Sequence, residues 1–251
     1  MSIALHVAYI LRHADDALVL GHRLSQWSSR APTLEEDIAL SNIALDLIGQ
    51  ARTLYQHAAR LEGAGRDEDA LAYLRGPAEF QNVQLVEQPN GDFAATMARQ
   101  LLFAAFAEPH WAALKVSKDA ELAGVAAKAE KECAYHLRHA SEWVIRLGDG
   151  TAESHARMQR ALDGLWPFTT ELFEADAIVG EMVAAGIGID AVTIRPNWQA
   201  TVGEVLARAT LSRPAGGGFV TGGRSGRHSE HLATMLADMQ GLRRAHPGAV
   251  W

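Results

Sequence analysis

The sequence predicts an all-α protein, in which long amphipathic helices pack as a bundle and shorter helices are added to it. Apolar residues recur with the 3.6-residue period of a helix over several long stretches. Helix caps and breakers separate these stretches, and no convincing alternation of apolar and polar residues indicates strands. With 48% hydrophobic residues, a chain of 251 residues can bury one sizeable core, so a single domain over 1–251 is expected.

The first two long helices are predicted on either side of a short break. The first runs from about Ile3 to Trp27, and residues 28–32 interrupt the pattern. Thr33 and Glu36 then form a capping-box pattern, in which each side chain satisfies a free N–H group of the first turn. The second helix follows this cap and is expected to end near Gly63.

The helical pattern continues to the end of the chain. Further helices are predicted at about Asp67–Leu74, from the cap Asp92 to Trp111, at Ala120–Leu147, at Ala152–Ala185, at Asn197–Leu211 and at Ser229–Arg244. Residues 76–91 are predicted to be irregular, and residues 214–226 form a glycine-rich loop. Pro167 lies inside one predicted helix and is expected to kink or split it.

Composition excludes several classes of function. The formal net charge of −7 argues against a nucleic-acid partner, because neutralising phosphates needs a basic surface. No apolar run approaches the roughly 20 residues of a membrane span. Arg12 and Asp15 interrupt the apolar N-terminal stretch, so no signal peptide is expected. Cys133, the one cysteine, forms neither an intrachain disulfide nor a cysteine cage, which fits a reducing cytoplasm.

Long helices around a core invite a search for metal ligands. Di-iron bundles take a Glu from each of two helices and a Glu-x-x-His pair from each of two others. None of the 11 histidines of this sequence has Glu or Asp three residues before it. The sequence therefore lacks the ligand set of a di-iron centre.

Two places resemble weakened versions of such a site. Asp46 has the required spacing to Gly49, where a histidine would stand. On the fourth long helix, Glu132 and His136 are four residues apart, and Tyr135 takes the expected histidine position. We interpret Glu132 and His136 as a buried pair that holds two helices together. A degenerate single-metal site of Asp46, Glu132 and His136 is the alternative.

A segment rich in glycine and arginine precedes the last helix. Arg224, Arg227 and His228 lie in it beside a helix start, an arrangement that resembles an anion cradle. The Gly-Lys-Ser/Thr ending of a Walker motif is absent. Contact with an anion and docking on a partner chain both stay open. The acidic stretch 171–176 is expected to be a solvated or interfacial helix face.

Several stretches of the sequence are similar to one known family. The most specific are Glu87-Gln88-Pro89-Asn90-Gly91 and Thr221-Gly222-Gly223; the others lie within 37–52, 85–93, 98–100, 131–138, 165–173, 221–232 and 247–251. In this order, over nearly the whole chain, they resemble the PaaC-type structural subunits of the bacterial ring-1,2-phenylacetyl-CoA epoxidases of phenylacetate degradation.

The resemblance implies a ferritin-like bundle and a cytoplasmic, non-catalytic structural subunit. It implies pairing with a catalytic subunit that carries the di-iron centre, beside a small subunit and a reductase with FAD and iron–sulfur groups. No cofactor is expected in this chain, and no catalytic residue carries over, because the catalytic motifs have no match here.

Two other functions stay open at this point. One is a degenerate single-metal enzyme, and the other is a module that binds a CoA thioester through Arg224, Arg227 and His228. We also expect the first two long helices to supply much of the surface for a partner chain. The isolated chain is a possible homodimer.

Overall fold

The computed structural model describes residues 2–216, 218–247 and 249, and its helices follow the predicted order. They are α1 (Ile3–Ser25), α2 (Leu34–Glu62), α3 (Gln84–Glu87), α4 (Phe93–Leu114), α5 (Ala120–Gly148), α6 (Ala152–Leu165), α7 (Ala177–Ala185), α8 (Arg195–Arg208) and α9 (Glu230–Ala245). Shorter 3₁₀ segments lie at Pro77–Glu79, Trp166–Phe173, Ala191–Ile194 and Gly223–Ser225. No strand occurs in the described ranges, so the all-α prediction is confirmed. Gly217 of the glycine-rich loop, and Gly248, Val250 and Trp251 of the C-terminal motif, lie outside them.

The predicted helix starts are confirmed at α2 and α4. The Thr33 hydroxyl accepts the Glu36 N–H at 3.4 Å, and the Asp92 carboxylate accepts the Ala95 N–H at 3.0 Å. The capping box of α2 is only half formed, since the Glu36 carboxylate pairs with His139 at 2.8 Å. A side chain expected to serve its own helix thus connects α2 to α5.

Most predicted helix bounds shift by a few residues, and three helices differ in ways that have a physical reason. The segment around Pro167 is split as expected, because the proline lies in the first turn of a 3₁₀ stretch, Trp166–Phe173, between α6 and α7. The short helix expected at 67–74 is only a π-helical turn at Ala70–Leu74. The helix expected from Asn197 begins at Arg195, since Pro196 fits its first turn, where no N–H partner is needed.

Antiparallel pairing of long helices builds the bundle. Along α1 and α2, Asp15 contacts Tyr55 while Gly21 faces Leu47, so the two helices run in opposite directions. Gly21 allows this close approach, because a Cβ there would lie 3.2 Å from the Leu47 Cβ. α4 packs along α5, and α2 contacts α5. The connection 63–92 crosses between the two pairs, as in bundles with one long crossover.

Two buried carboxylates of α1 attach this crossover and the C-terminal loop to the bundle. Asp15 accepts hydrogen bonds from Tyr55 at 2.6 Å and from the Arg75 guanidinium at 3.1 Å. Asp16 accepts two from Arg224, at 3.0 and 2.7 Å. We call Asp15, Asp16, Arg75 and Arg224 the arginine–aspartate cluster. It fixes where the two irregular segments cross α1.

Candidate functional site

A line of polar side chains runs along the contact between α2 and α5. We call it the polar seam, and it consists of Glu36, Asp46, Gln50 and His57 on α2, with His139, His136 and Glu132 on α5 and Asp119 at its N-cap. The pairs are Glu36 with His139, Asp46 with His136, Gln50 with Glu132, and His57 with Asp119. Three of these four pairs therefore join a histidine to a carboxylate across the antiparallel contact.

The structure brings Asp46 and His136 together at the middle of the seam. His136 Nε2 lies 3.0 Å from the Asp46 carboxylate, and the histidine side chain is only 3% exposed. Burial lowers the pKa of His136 despite the hydrogen bond and the charge of Asp46, so the ring is neutral near pH 7. The predicted partner was Glu132, and this is wrong in detail: His136 pairs with Asp46 and so holds α5 to α2.

Glu132 binds other side chains, and Gly49 has no side chain that could bind a metal. The Glu132 carboxylate accepts the Gln50 amide at 2.8 Å and lies 3.2 Å from the Lys128 ammonium. Cys133 is buried beside it, and burial followed by the charge of Glu132 raises the pKa of the thiol, as expected for a core residue.

The middle of the seam does not fit a di-iron centre. Such a centre draws four carboxylates and two histidines from four helices. Here one histidine, His136, faces Asp46, and the nearby Glu132 is already bonded to Gln50 and Lys128.

The end of the seam holds a cluster that has no signature in the sequence. His6 Nε2 and His57 Nε2 lie 2.8 and 2.6 Å from the same oxygen of Asp119. Within the described part of the chain, this is the one group of three histidine, cysteine or acidic side chains whose ligand atoms all lie within 4.8 Å of one another. Burial alone would raise the pKa of Asp119, but hydrogen bonds from His57, the Leu122 N–H and His6 hold it well below its usual range.

Sequence reasoning missed this cluster because its members are far apart in the chain. His6 lies near the start of α1, His57 near the end of α2, and Asp119 at the start of α5. No motif spacing connects them. The one usable signal was that Asp119 precedes a helix as an N-cap residue, and indeed its second oxygen accepts the Glu121 and Leu122 N–H groups.

The glycine- and arginine-rich loop uses two of its three predicted contact residues within the chain. The Arg224 guanidinium binds Asp16 inside the protein. His228 lies between the Glu87 carboxylate and the Phe80 carbonyl, each 2.8 Å away. Arg227 is exposed. Contact with an anion or a partner therefore stays a prediction, and of the three residues only Arg227 is exposed to make it.

The acidic stretch, expected to be a solvated or interfacial face, is exposed at Glu174 and Asp176 but not at Glu171. Glu171 is 1% exposed, and its carboxylate accepts the N–H groups of Gly222 at 2.9 Å and Gly223 at 2.6 Å. Asp176 caps α7 and binds Arg12. The loop glycines are needed because a Cβ at Gly223 would collide with the Asn82 carbonyl. The apparent anion cradle is therefore filled by an anion of the chain itself.

A second polar region lies in a cavity of about 370 Å³ bordered by α1 and α4. Tyr9, His13 and His110 line it. Among the described residues, both ring nitrogens of His110 and Nε2 of His13 are buried without a hydrogen-bond partner. Burial, then the charge of Arg224, lowers the pKa of His110 to about 3, so this ring is neutral. Such atoms suit water or a small polar molecule.

The chain is similar to known proteins over nearly its whole length. The chain matches the family model described as phenylacetic acid catabolic protein over residues 2–251. It is 48% identical over 244 residues to the C subunit of the 1,2-phenylacetyl-CoA epoxidase of Escherichia coli (strain K12), and the match covers 97% of this chain and 98% of the relative. The matched family has a ferritin-like helical fold, as predicted. No helix in the described ranges is long and apolar enough to cross a membrane.

Proposed function

Because this chain belongs to the phenylacetic acid catabolic protein family, we propose that it is the non-catalytic structural subunit of a cytoplasmic phenylacetyl-CoA epoxidase. In this proposal it pairs with and stabilises a catalytic subunit that holds the di-iron centre. A small subunit and a reductase with FAD and iron–sulfur groups complete the assembly. The relative in Escherichia coli is itself one subunit of such an epoxidase.

An exposed row of large apolar side chains on α2 carries the proposal. Leu34, Ile38, Leu45 and Ile48 are 72%, 54%, 66% and 38% exposed. They recur at intervals of four, seven and three residues, which places them on one face of the helix. We call them the α2 row.

The α2 row suits another helix as its occupant. Apolar surface left in water costs roughly 25 cal/mol per Å², so a row of this kind gains free energy when a second chain covers it. Its three- and four-residue spacing is the one with which helices interdigitate. Obligate partners commonly bury on the order of 2,000 Å² or more, and a long helix offers a continuous part of that area. The helical catalytic subunit is therefore our proposed occupant.

The seam supports a catalytic role for the partner and a structural one for this chain. The di-iron ligand pattern is absent from the sequence, and the carboxylate of Glu132 is used by Gln50 and Lys128. The alternative of a CoA-binding module is not favoured, because Arg224 and His228 already have partners within the chain.

Charges placed in the α2 row test the proposal directly. Ile38→Glu/Leu45→Glu should weaken binding to the catalytic subunit by about 100-fold, roughly 2.8 kcal/mol, because two carboxylates would be buried in an apolar contact. The dissociation constant is measured by titration of the two purified subunits, and epoxidase activity is measured in the reconstituted complex. Helix content by circular dichroism should stay unchanged, since both side chains are exposed.

Leu242→Glu is the matched control. Leu242 is 59% exposed on α9, so its variant carries a new surface charge on another helix. It should bind as the unaltered chain does. Normal binding by the double variant, or equal weakening in the control, would show that α2 is not the pairing face.

A further inference from the structure

We propose that His6, His57 and Asp119 bind one divalent first-row cation, for which Zn²⁺ is the best-fitting probe. The cation would connect α1, α2 and the start of α5 at one end of the bundle. This inference goes beyond pairing with a catalytic subunit and does not depend on it.

The three side chains already converge on one point. Both imidazole Nε2 atoms face the same Asp119 oxygen, at 2.8 and 2.6 Å. The side chains of His6, His57 and Asp119 are only 7%, 6% and 6% exposed. Two histidines and a carboxylate form a donor set that zinc and ferrous iron both accept.

Zinc binding requires the spacing of the ligand atoms, which all lie within 4.8 Å of one another, to adjust. Ligand atoms about 2.0–2.1 Å from a tetrahedral Zn²⁺ lie about 3.3 Å from one another. The two histidine–carboxylate distances must therefore grow by roughly half an ångström. A bound cation would take the place of any proton between these nitrogens and Asp119, because a histidine nitrogen binds a metal only when it is unprotonated.

Glu121 lies near the second ring nitrogen of His57. Its carboxylate lies 3.3 Å from His57 Nδ1, on the ring edge away from Asp119, and is itself bound by Arg60. A proton on Nδ1 that points to a carboxylate leaves the Nε2 lone pair free for a metal. Glu121 is thus close enough to accept a proton from Nδ1 when a cation is bound at Nε2, and in this proposal it does not itself act as a ligand.

A groove gives a cation access to the cluster. A cavity of about 290 Å³ between α2 and α5 is lined by His57 and Glu121, together with Gly49 and Gly124. A Cβ would meet no atom within 4 Å at either glycine, so the groove is open there. Water can enter along it and fill the position that three protein ligands leave free.

The test uses the whole purified chain, freed of metal with a chelator and titrated with Zn²⁺ against a chromophoric competitor. We expect one Zn²⁺ per chain and a rise in Tm when Zn²⁺ is present in excess. His57→Ala and Asp119→Asn should both lose the bound zinc and the Tm rise. Asn keeps the helix cap, so Asp119→Asn folds with its cap intact. Glu121→Ala should weaken binding by about 10–100-fold.

His139→Ala is the matched control. It removes a histidine from the same helix contact, where the His139–Glu36 pair has similar burial, at 11% and 12% exposed. Zinc binding should survive this change. A wild-type chain that binds no stoichiometric zinc would overturn the proposal and leave a purely hydrogen-bonded clamp. Zinc bound equally well by His57→Ala would overturn it too, because the metal would then lie elsewhere.

Discussion

The arginine–aspartate cluster and the polar seam are both buried polar regions of one bundle, but they differ in the kind of charge they hold. In the cluster, Asp15 and Asp16 face the guanidinium groups of Arg75 and Arg224. In the seam, carboxylates face histidines, such as His136 and His139. Guanidinium groups stay charged at all physiological pH values, whereas imidazoles exchange protons near neutrality.

This difference predicts which region stabilises the fold and which region can respond to pH or to metal ions. Loss of an aspartate from the cluster leaves a buried guanidinium that stays charged, which is costly. Loss of a carboxylate from the seam leaves a histidine, a side chain that can be neutral. We therefore expect stability to depend on the cluster, and metal or proton binding to depend on the seam.

The largest effect is expected for Asp15→Ala. This change leaves the Arg75 guanidinium buried without its carboxylate, since the Arg75 side chain is 4% exposed. The free energy of unfolding should fall by about 3–5 kcal/mol, measured by urea denaturation. Glu36→Ala in the seam should cost about 1 kcal/mol, because it removes one hydrogen bond to His139 and leaves no guanidinium unpaired. Equal losses in the two variants would remove the distinction between the regions.

A smaller loss of stability is expected at Glu171, a buried carboxylate that binds the C-terminal loop. Glu171→Gln keeps the shape but loses the charge that receives the Gly222 and Gly223 N–H groups, so about 1–3 kcal/mol of stability should be lost. Hydrogen exchange of these two amides should accelerate. Glu174→Gln, at an exposed neighbour outside this contact, is the control; similar acceleration there would contradict the assignment.

The smallest effect is a pH dependence of opposite sign at two histidines. The pKa of His228 is raised, because the hydrogen bonds to Glu87 and Phe80 outweigh its burial. Its stabilising contribution is therefore full below the ordinary value of 6.5 and is lost as the pH rises through the folded value. The pKa of His136 is lowered by burial, so its contribution is present above 6.5 and is lost as the pH falls.

Urea denaturation at a series of pH values checks both signs. His136→Gln should remove part of the loss of stability on acidification, and His228→Gln should remove part of the loss on the alkaline side of 6.5. A change of the same sign in both variants would be inconsistent with their opposite surroundings.

Local signals in the sequence predicted most of the fold. Caps such as Thr33 and Asp92 act within one turn, and the break at Pro167 follows from the missing N–H, so neither needs tertiary information. The inward position of His136 also followed from its place in an apolar stripe. Its true partner did not, because Asp46 reaches it from another helix, 90 residues away.

The contacts that the sequence did not predict depend on which helix ends lie close together in the folded chain. His6, His57 and Asp119 come together only because α1, α2 and α5 have these ends at one side of the bundle. Likewise, nothing local marks Glu171 as buried, since its partners are N–H groups of a loop about 50 residues later in the chain. Contacts of this kind have no periodicity and no spacing rule.

The pairing of Arg224 with Asp16 has a consequence for synthesis. The two residues are 208 positions apart, and without its cation the buried Asp16 carboxylate is costly to keep charged; even with it, burial raises the pKa of Asp16 to about 6. Helix α1 leaves the ribosome early, but the side chain that neutralises it is among the last to be translated. The ion pair that neutralises Asp16 can therefore form only after nearly the whole chain has been translated.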